Sequence, residues 1–179
     1  MRQRYFALSG NSRKDSMMAL IQQITLLLRI SAAPNTVDEY NSSYTPTKIL
    51  KVCNMVEEFS DEIVVIGVRH KIVVDAYADE LRRRFPKRKL FVVTGSTTTL
   101  AKRRKLKSAL KESGNGILLC TQQCLPSSVN FEFINKVIIP ELHYNNARMS
   151  QFYMRFVRFN SKEAVSYTHL RAHETGAYL

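Results

Sequence analysis

The chain has 179 residues, of which 45% are hydrophobic, so it can bury the core of one domain and is not a disordered chain. Lysine and arginine total 27 against 15 aspartates and glutamates, a formal net charge of +12, which favours an anionic partner such as nucleic acid or a nucleotide. Three cysteines without metal-like spacing are expected in the core, in a reducing compartment. Without a membrane-spanning run or a signal peptide, we expect a cytoplasmic protein with no membrane partner.

The first 44 residues are predicted to form a helical extension followed by a linker. Apolar residues recur at helical spacing in SMMALIQQITLLLRI, which stops before Pro34, and the polar stretch NTVDEYNSSY follows. Thr45 and Pro46 are then predicted to cap and start a second helix. The apolar face of that helix consists of Ile49, Val52, Cys53 and Val56.

Short β-branched runs alternate with helical patterns in the rest of the chain. The runs EIVVIGV, KLFVVTG, ILLCT and KVIIP are predicted to be buried parallel strands. Helices are predicted from about Ile72 to Phe85 and over LAKRRKLKSALKES. This alternation is typical of a doubly wound α/β sheet, in which ligands gather at the carboxyl ends of the strands. The segments expected at that functional edge follow Val68, Thr94, Thr121 and Pro140.

The stretch QFYMRFVRFNSK, from Gln151 to Lys162, has two different faces when it is drawn as a helix. One stripe, suited to a core, contains Met149, Phe152, Phe156 and Phe159. The other, about 100° away, contains Gln151, Arg155 and Arg158. Two guanidiniums on a rigid support are suited to phosphate oxygens, although surface arginines in helix salt bridges would show the same pattern.

Residues 165–179 are set apart from the predicted fold. The run VSYTHLRAHET, which begins at Val165, resembles translated sequencing-adapter sequence, so we exclude it from the fold prediction. The same exclusion discounts His169 and His173, whose i, i+4 spacing imitates a helical metal site, and no metal site is predicted. The sequence is then interpreted as a fragment whose natural part is interrupted near Ala164.

The order of these segments resembles the C-terminal RecA-like lobe of superfamily-two helicases, specifically the Swi/Snf-type branch with its phage and bacterial members. The resemblance covers about Thr45 to Glu163, and the truncated domain is placed at 45–164. It is carried by a capped helix and by the runs IVVIGV, VVTGSTTTLAKRRKLKSALKES, ILLCTQQCLPSSVNFEFINKVIIPE and QFYMRFVRFNS. The resemblance implies an α/β fold with a helical extension at its N-terminus.

The resemblance also implies roles for particular residues. The sixth helicase motif, Q-x-x-x-R-x-x-R, corresponds to Gln151, Arg155 and Arg158, of which the arginines would complete a γ-phosphate site and the glutamine would help couple nucleotide to lobe closure. The motif-five loop, Thr121 through Asn130, would grip the DNA backbone. The residues expected to contact DNA are Arg69, His70, Ser96, Lys102, Arg103, Thr121, Ser127, Ser128 and Asn130.

ATP and Mg²⁺ are expected as cofactors of an intact two-lobe protein, with none bound by this fragment alone. The phosphate-binding pattern G-x-x-x-x-G-K-[ST] and an acidic Mg²⁺ motif do not occur in the sequence, so we expect the fragment to be inactive as an ATPase. The expected partners of this monomer are DNA and the missing N-terminal RecA-like lobe. Two alternatives remain open: a non-enzymatic basic α/β nucleic-acid-binding module, and a different nucleotide-dependent enzyme with the same strand order.

Overall fold

The computed structural model describes residues 13–40, 44–95, 100–125, 130–143, 145–157 and 164–170. Within these ranges, five α-helices, two short 3-10 helices (Pro34–Thr36 and Asp38–Tyr40) and five strands follow one another along the chain. The helices are α1 (Arg13–Ala32), α2 (Thr47–Glu58), α3 (Lys71–Arg84), α4 (Leu100–Ser113) and α5 (Asn146–Tyr153). The strands are β1 (Val64–Val68), β2 (Leu90–Val93), β3 (Ile117–Thr121), β4 (Lys136–Ile139) and β5 (Ser166–His169).

The described strands form one parallel sheet in the order β2-β3-β1-β4-β5. Strand β1 lies at the centre, where it pairs with β3 from Val64↔Ile117 to Val68↔Thr121 and with β4 from Val64↔Lys136. All residues of β1 and β3 are buried, as the continuous β-branched runs predict. The predicted α/β fold with a parallel sheet is therefore confirmed, and the carboxyl ends of its strands share one edge.

Helices cover both faces of the sheet, and alternate strand residues enter two separate apolar cores. The first core lies between the sheet and helices α2 and α3. The predicted apolar face of α2 is fully buried there, at 0 to 1% exposure for Ile49, Val52, Cys53 and Val56. The second core lies on the opposite face, where residues of α4 and α5 pack with the loop residues Phe131 and Ile134.

Helix α5 sits on the second core by way of its predicted apolar stripe. Met149, Phe152 and Phe156 are buried, and Phe159 lies outside the described residues. The Phe152 ring rests directly on β1 at Gly67, where a Cβ atom would lie 2.6 Å from Phe152 Cζ. Glycine at this position therefore permits a close approach of α5 to the sheet that any side chain would obstruct.

Helix α5 is shorter than predicted. It ends at Tyr153, so Arg155 lies in the turn that follows rather than on the helix. The turn brings Phe156 into the second core, and the backbone oxygen of Arg155 accepts a hydrogen bond from the Phe131 N–H at 3.0 Å. Burial of an aromatic ring and pairing with a distant loop thus replace the next helical turn.

The predicted cap of α2 is also wrong in detail. Pro46 occupies the N-cap position and makes no side-chain capping bond. The Thr45 hydroxyl instead donates to Glu80 Oε2 at 3.3 Å, which joins the start of α2 to α3. The hydroxyl is thus used for a contact between helices, while the first turn of α2 begins after the proline.

Residues 166–169 form the edge strand β5, although residues 165–179 were set apart from the predicted fold. The Tyr167 hydroxyl donates to the Tyr153 oxygen at 3.0 Å, and the two rings pack edge to face with centroids 4.6 Å apart. Leu170 is buried in the first core. The segment is thus integrated into the described fold, and its adapter origin stays a prediction.

Helix α1 leaves much of its apolar surface in solvent. Only its C-terminal end, at Ala32 and the following Ala33, enters the first core. Its exposed apolar side chains are Met17, Met18, Leu20, Ile21, Ile24 and Leu27. No helix of the described ranges has the length and apolar character needed to cross a membrane.

We expect Gly67→Ala to destabilise the chain by about 1 to 3 kcal/mol, because the added methyl group overlaps the Phe152 ring in a closely packed core. Urea unfolding of the 179-residue chain measures this change. The double variant Gly67→Ala/Phe152→Leu should recover part of the loss, since the smaller side chain relieves the overlap. If the loss of unfolding free energy in the double variant equals the sum of the losses in the two single variants, the proposed contact is contradicted.

Candidate functional site

Gln122 joins three strands at the carboxyl edge of the sheet. It follows β3 directly, and its backbone N–H donates to the Val68 oxygen at 2.9 Å. Its side-chain Nε2 donates to the backbone oxygen of Gly67 at 3.0 Å and to the backbone oxygen of Glu141 at 2.6 Å. One buried amide therefore fixes the ends of β1 and β3 and the segment after β4 relative to one another.

A pocket with a volume of about 280 Å³ opens beside Gln122, between the end of β3 and helix α5. Two guanidiniums, three amides and one imidazole contribute its polar lining, and none of the described residues that line it is a carboxylate. These polar residues are Gln122, Gln123, His143, Arg148, Gln151 and Arg155. Such a set can bind an anion through the arginines and hydrogen-bond neutral groups through the amides.

His143 is held in the pocket wall as a neutral ring. Its Nδ1 accepts a hydrogen bond from the Asn145 N–H at 2.9 Å, which leaves the proton of the neutral ring on Nε2. Burial, and then the charges of Arg69 and Arg148, lower the pKa of His143. Asn145 in turn caps α5, since its side chain accepts from the Arg148 N–H at 3.2 Å.

Glu141, whose backbone oxygen accepts from Gln122, carries a buried carboxyl group. Burial raises the pKa of Glu141 to about 7, against the attraction of Lys48 and Arg69. Burial also lowers the pKa of Lys48, which lies on α2 and is 9% exposed. Neither carboxylate oxygen of Glu141 has a hydrogen-bond partner among the described residues. The backbone N–H of Arg69 opposes the rise in the pKa of Glu141.

Two of the three residues predicted from the sixth motif line the same pocket. Gln151 lies on α5, and Arg155 lies in the turn after it. Arg158 falls outside the described residues, so its role stays a prediction.

The residues predicted to contact DNA are spread over a wider area. Arg69 and His70 follow β1 at the carboxyl edge, and burial, then the charges of Arg69 and Arg29, lower the pKa of His70. Thr121 ends β3 and is buried, with no hydrogen-bond partner for its Oγ1 among the described residues. Asn130 is half-buried ahead of β4.

The remaining predicted DNA contacts lie on or near α4 and the motif-five loop. Lys102 is exposed on α4, and Arg103 belongs to the same helix, although its side chain is not among those the structure describes. Ser96, Ser127 and Ser128 fall outside the described residues. All of these DNA contacts stay predictions.

The basic run RRRFPKRK is largely occupied by contacts within the protein. Arg82 pairs with Asp79, and both Arg83 and Arg84 pair with Glu80.

Arg88 of this run is a structural residue. Its Nε, Nη1 and Nη2 donate to the backbone oxygens of Asn115, Val56 and Glu62, each at 2.8 Å. These oxygens belong to α2 and to the segments that precede β1 and β3, so one side chain ties three parts of the chain together. Burial lowers the pKa of Arg88, and its donors are directed into the fold.

The basic run of α4 differs from this arrangement. Lys102, Arg104 and Lys105 are exposed, and no acidic partner for them is present in the described part of the chain. Lys107, by contrast, pairs with Glu132 at 3.1 Å. The first turns of α4 therefore present positive charge to solvent.

Four polar pocket residues were not named as site residues from the sequence: Gln122, Gln123, His143 and Arg148, although the first two lie in the predicted motif-five loop. Arg148 precedes Gln151 by three residues and Arg155 by seven, a helical spacing that places all three on one side. Gln122 immediately follows a buried strand, where parallel sheets bind ligands. His143 lies in the segment after Pro140 that was expected at the functional edge, and its place in the pocket depends on its bond to Asn145.

Comparison with solved structures identifies the fold. The chain superimposes on the SWI2/SNF2 ATPase core of Sulfolobus solfataricus in complex with double-stranded DNA, with a TM-score of 0.69 at 13% identity over 93% of this chain. For the C-terminal part of the Fun30 ATPase domain, the TM-score is 0.62 at 17% identity over 94% of this chain. For T4 UvsW, it is 0.58 at 13% identity over 93%. The chain has a RecA-like α/β fold.

These structures are longer than this chain, which spans 35% of the SWI2/SNF2 core, 58% of the Fun30 chain and 29% of UvsW. No protein-family model and no curated protein sequence matches the chain. The RecA-like lobe fold therefore rests on backbone geometry.

The buried carboxyl group of Glu141 predicts a pH dependence of stability. Its folded pKa, about 7, lies above the ordinary value of 4.5. Between these two pH values the carboxyl group therefore stays mostly protonated in the folded chain and is mostly ionised in the unfolded chain. As pH rises from 5 to 8, wild type should therefore lose on the order of 3 kcal/mol of unfolding free energy relative to Glu141→Gln.

Urea unfolding of both chains at pH 5 and pH 8 measures this difference, and comparison with the variant cancels the contributions of His70 and His143. Glu57→Gln, which removes an exposed carboxylate of α2, is the control and should track wild type. A constant difference between wild type and Glu141→Gln across this range would show that Glu141 is ionised throughout.

Proposed function

We propose that this chain is the C-terminal motor lobe of an ATP-dependent DNA helicase or translocase of the Swi/Snf type. The observation that carries the proposal is the position of Gln151 and Arg155 on one polar pocket at the carboxyl edge of a RecA-like sheet. The similarity to a SWI2/SNF2 ATPase core in complex with double-stranded DNA supports ATP and DNA as the ligands. The rest of the motor, including an N-terminal RecA-like lobe, would belong to a longer protein.

The lining of the pocket fits the phosphate end of a nucleotide. Arg148 and Arg155 supply positive charge, and no carboxylate among the described lining residues would repel a phosphate. In the proposed mechanism, Arg155 and Arg158 stabilise the negative charge that develops on the γ-phosphate, and Gln151 links nucleotide binding to lobe closure. When bound, ATP supplies the phosphoryl group that is transferred to water. Mg²⁺ is assigned to carboxylates of the N-terminal lobe.

The same edge and α4 would contact the DNA backbone. The exposed charges of Lys102, Arg104 and Lys105 can each pair with a phosphate, and such contacts carry no sequence preference. Arg69 and His70 follow β1 at the nearby edge of the sheet.

In the full-length protein, Arg155→Ala and Arg158→Ala should each lower kcat for ATP hydrolysis by about 10³ to 10⁵, because an arginine that stabilises the transition state is worth far more than a surface charge. Arg155→Lys should also fail, since lysine lacks the planar fork of donors. Steady-state ATPase assays in the presence of DNA measure these changes.

Arg155→Ala keeps the backbone oxygen that accepts from Phe131, so the variant should fold. Arg82→Ala, which removes an exposed arginine paired with Asp79, is the matched control and should hydrolyse ATP within about threefold of wild type. If Arg155→Ala and Arg158→Ala stay within that range, the pocket is not the phosphate site and a non-enzymatic nucleic-acid-binding module becomes the better interpretation.

The isolated chain should bind DNA weakly, with Kd of about 10⁻⁴ to 10⁻⁶ M at physiological salt and no dependence on sequence. Replacing Lys102, Arg103, Arg104 and Lys105 together by glutamine should reduce the slope of log K against log salt by up to about 3 to 4. Fluorescence anisotropy at several salt concentrations measures the slope. The control Arg82→Gln/Arg83→Gln removes two arginines that are ion-paired within the protein, so it should keep the wild-type salt slope. If the slope of the α4 variant is also unchanged, the basic run of α4 is a solvated surface that does not contact DNA.

A further inference from the structure

A second pocket, with a volume of about 340 Å³, lies where the end of α1 meets the start of α2. It shares no lining residue with the pocket beside Gln122. Apolar side chains, among them Pro34 and Tyr44, form most of its wall. Lys48 is the one charged side chain among the described residues that line it, so this pocket combines apolar surface with a single positive charge.

Helix α2 begins at this pocket with its first backbone donors uncapped. Pro46 occupies the N-cap position without a capping side-chain bond, and the first two helical residues, Thr47 and Lys48, line the pocket. The N–H groups of the first turn of an α-helix have no partner within the helix, and together they carry a partial positive charge. The start of α2 therefore offers donors to an anion, although a helix terminus alone does not define a site.

The side chain of Lys48 supplies an independent indication of an anion. It is only 9% exposed. Glu141 attracts it from a distance, but neither carboxylate oxygen of Glu141 has a hydrogen-bond partner in the described chain, so Lys48 Nζ does not donate to this carboxyl group. Within the described residues, no other hydrogen bond or ion pair holds Nζ. Because a buried ammonium group is costly unless it is paired, Lys48 indicates a missing anionic partner.

The other walls of the pocket restrict the chemistry of that anion. Ile30 and Ser31 lie in the last turn of α1, whose final carbonyl groups carry a partial negative charge that opposes a second negative charge on a ligand. A phosphate dianion would also lose much of its hydration against the apolar wall. A carboxylate has one charge, which one lysine can match, and an apolar body attached to it can contact the wall.

We propose that this pocket binds a small monocarboxylate, with the carboxylate between Lys48 and the first N–H groups of α2 and the apolar body against Pro34 and Tyr44. A volume of about 340 Å³ is at the small end of ligand pockets and suits a molecule of the size of benzoate. The inference goes beyond the proposed function, because it involves neither ATP nor DNA and uses none of the residues assigned to them.

Titration of the ¹⁵N-labelled 179-residue chain with benzoate, followed by NMR, tests the proposal. Benzoate should bind with Kd on the order of 1 mM and shift the backbone resonances of Thr47, Lys48 and Ile49. Benzamide has nearly the same shape without the charge, and acetate has the charge without the ring. Each of these, and inorganic phosphate, should therefore bind at least about 10-fold more weakly than benzoate.

Lys48→Met tests the contribution of the buried charge. The variant should fold, because methionine keeps an apolar stem and removes an unpaired buried charge, yet it should weaken benzoate binding by about 10- to 100-fold. The matched control is Lys87→Met, which removes an exposed lysine from the segment before β2 and should keep the wild-type affinity.

Thr47→Pro tests the contribution of the helix terminus, because it removes one N–H from the first turn of α2. Proline is favoured at the first helical position, and Pro46 already has the extended conformation, with φ −55° and ψ 137°, that a following proline requires. The variant should therefore keep the helix and weaken benzoate binding by about 3- to 10-fold. The control Thr47→Ala keeps the N–H and should bind within about twofold of wild type.

Equal affinities for benzoate and benzamide would overturn the proposal, since the pocket would then recognise only an apolar shape. An unchanged affinity in Lys48→Met would also overturn it, as would the lack of a saturable shift at the start of α2 up to about 50 mM benzoate. Lys48 would then be paired with Glu141 through water. These results are distinct from a failure of the proposed function, which is decided by Arg155→Ala and Arg158→Ala in the full-length ATPase assay.

Discussion

The close approach of Phe152 to Gly67 sets the geometry on which the candidate site depends. The ring can lie on β1 only because residue 67 has no side chain, and this contact brings α5 down onto the sheet. Gln151 is the neighbour of Phe152 in sequence, so the position of the ring also determines where the amide lies relative to Gln122. The close packing of Phe152 on Gly67 thus sets the spacing of the polar groups on the pocket wall.

The polar groups at the carboxyl edge are connected as closely as the apolar ones beneath them. Gln122 uses its donors to hold the backbone at Gly67 and Glu141, while its remaining acceptor is left at the pocket. Glu141 is also the buried carboxyl that faces the charge of Lys48. Glu141 therefore contributes its backbone oxygen to the bond with Gln122 and a buried carboxyl group to the same short segment.

The sequence predicted the sheet because each central strand is a run of β-branched residues buried on both faces, a pattern that is typical of parallel sheets covered by helices. It also predicted the apolar stripe of Met149, Phe152 and Phe156, which is buried. It did not predict that α5 ends at Tyr153, because helical spacing continues through Arg155 while the pairing of Phe131 with the Arg155 oxygen is a long-range contact. The role of Gln122 likewise depends on which backbone oxygens lie beside it in space.

The sequence pattern likewise did not predict which positively charged side chains are paired within the protein and which are exposed. The runs RRRFPKRK and KRRKLK are equally basic in sequence, yet Asp79 and Glu80 lie one turn before the first run and neutralise its arginines, and Arg88 is turned inward onto backbone oxygens. The exposed charges at the start of α4 have no such acidic neighbours in the described chain. The net charge of +12 already counts Asp79 and Glu80, so it gives the amount of positive charge but not its position on the surface. Among the described residues, the exposed charges of Lys102, Arg104 and Lys105 on α4 are placed to meet an anionic partner such as a phosphate.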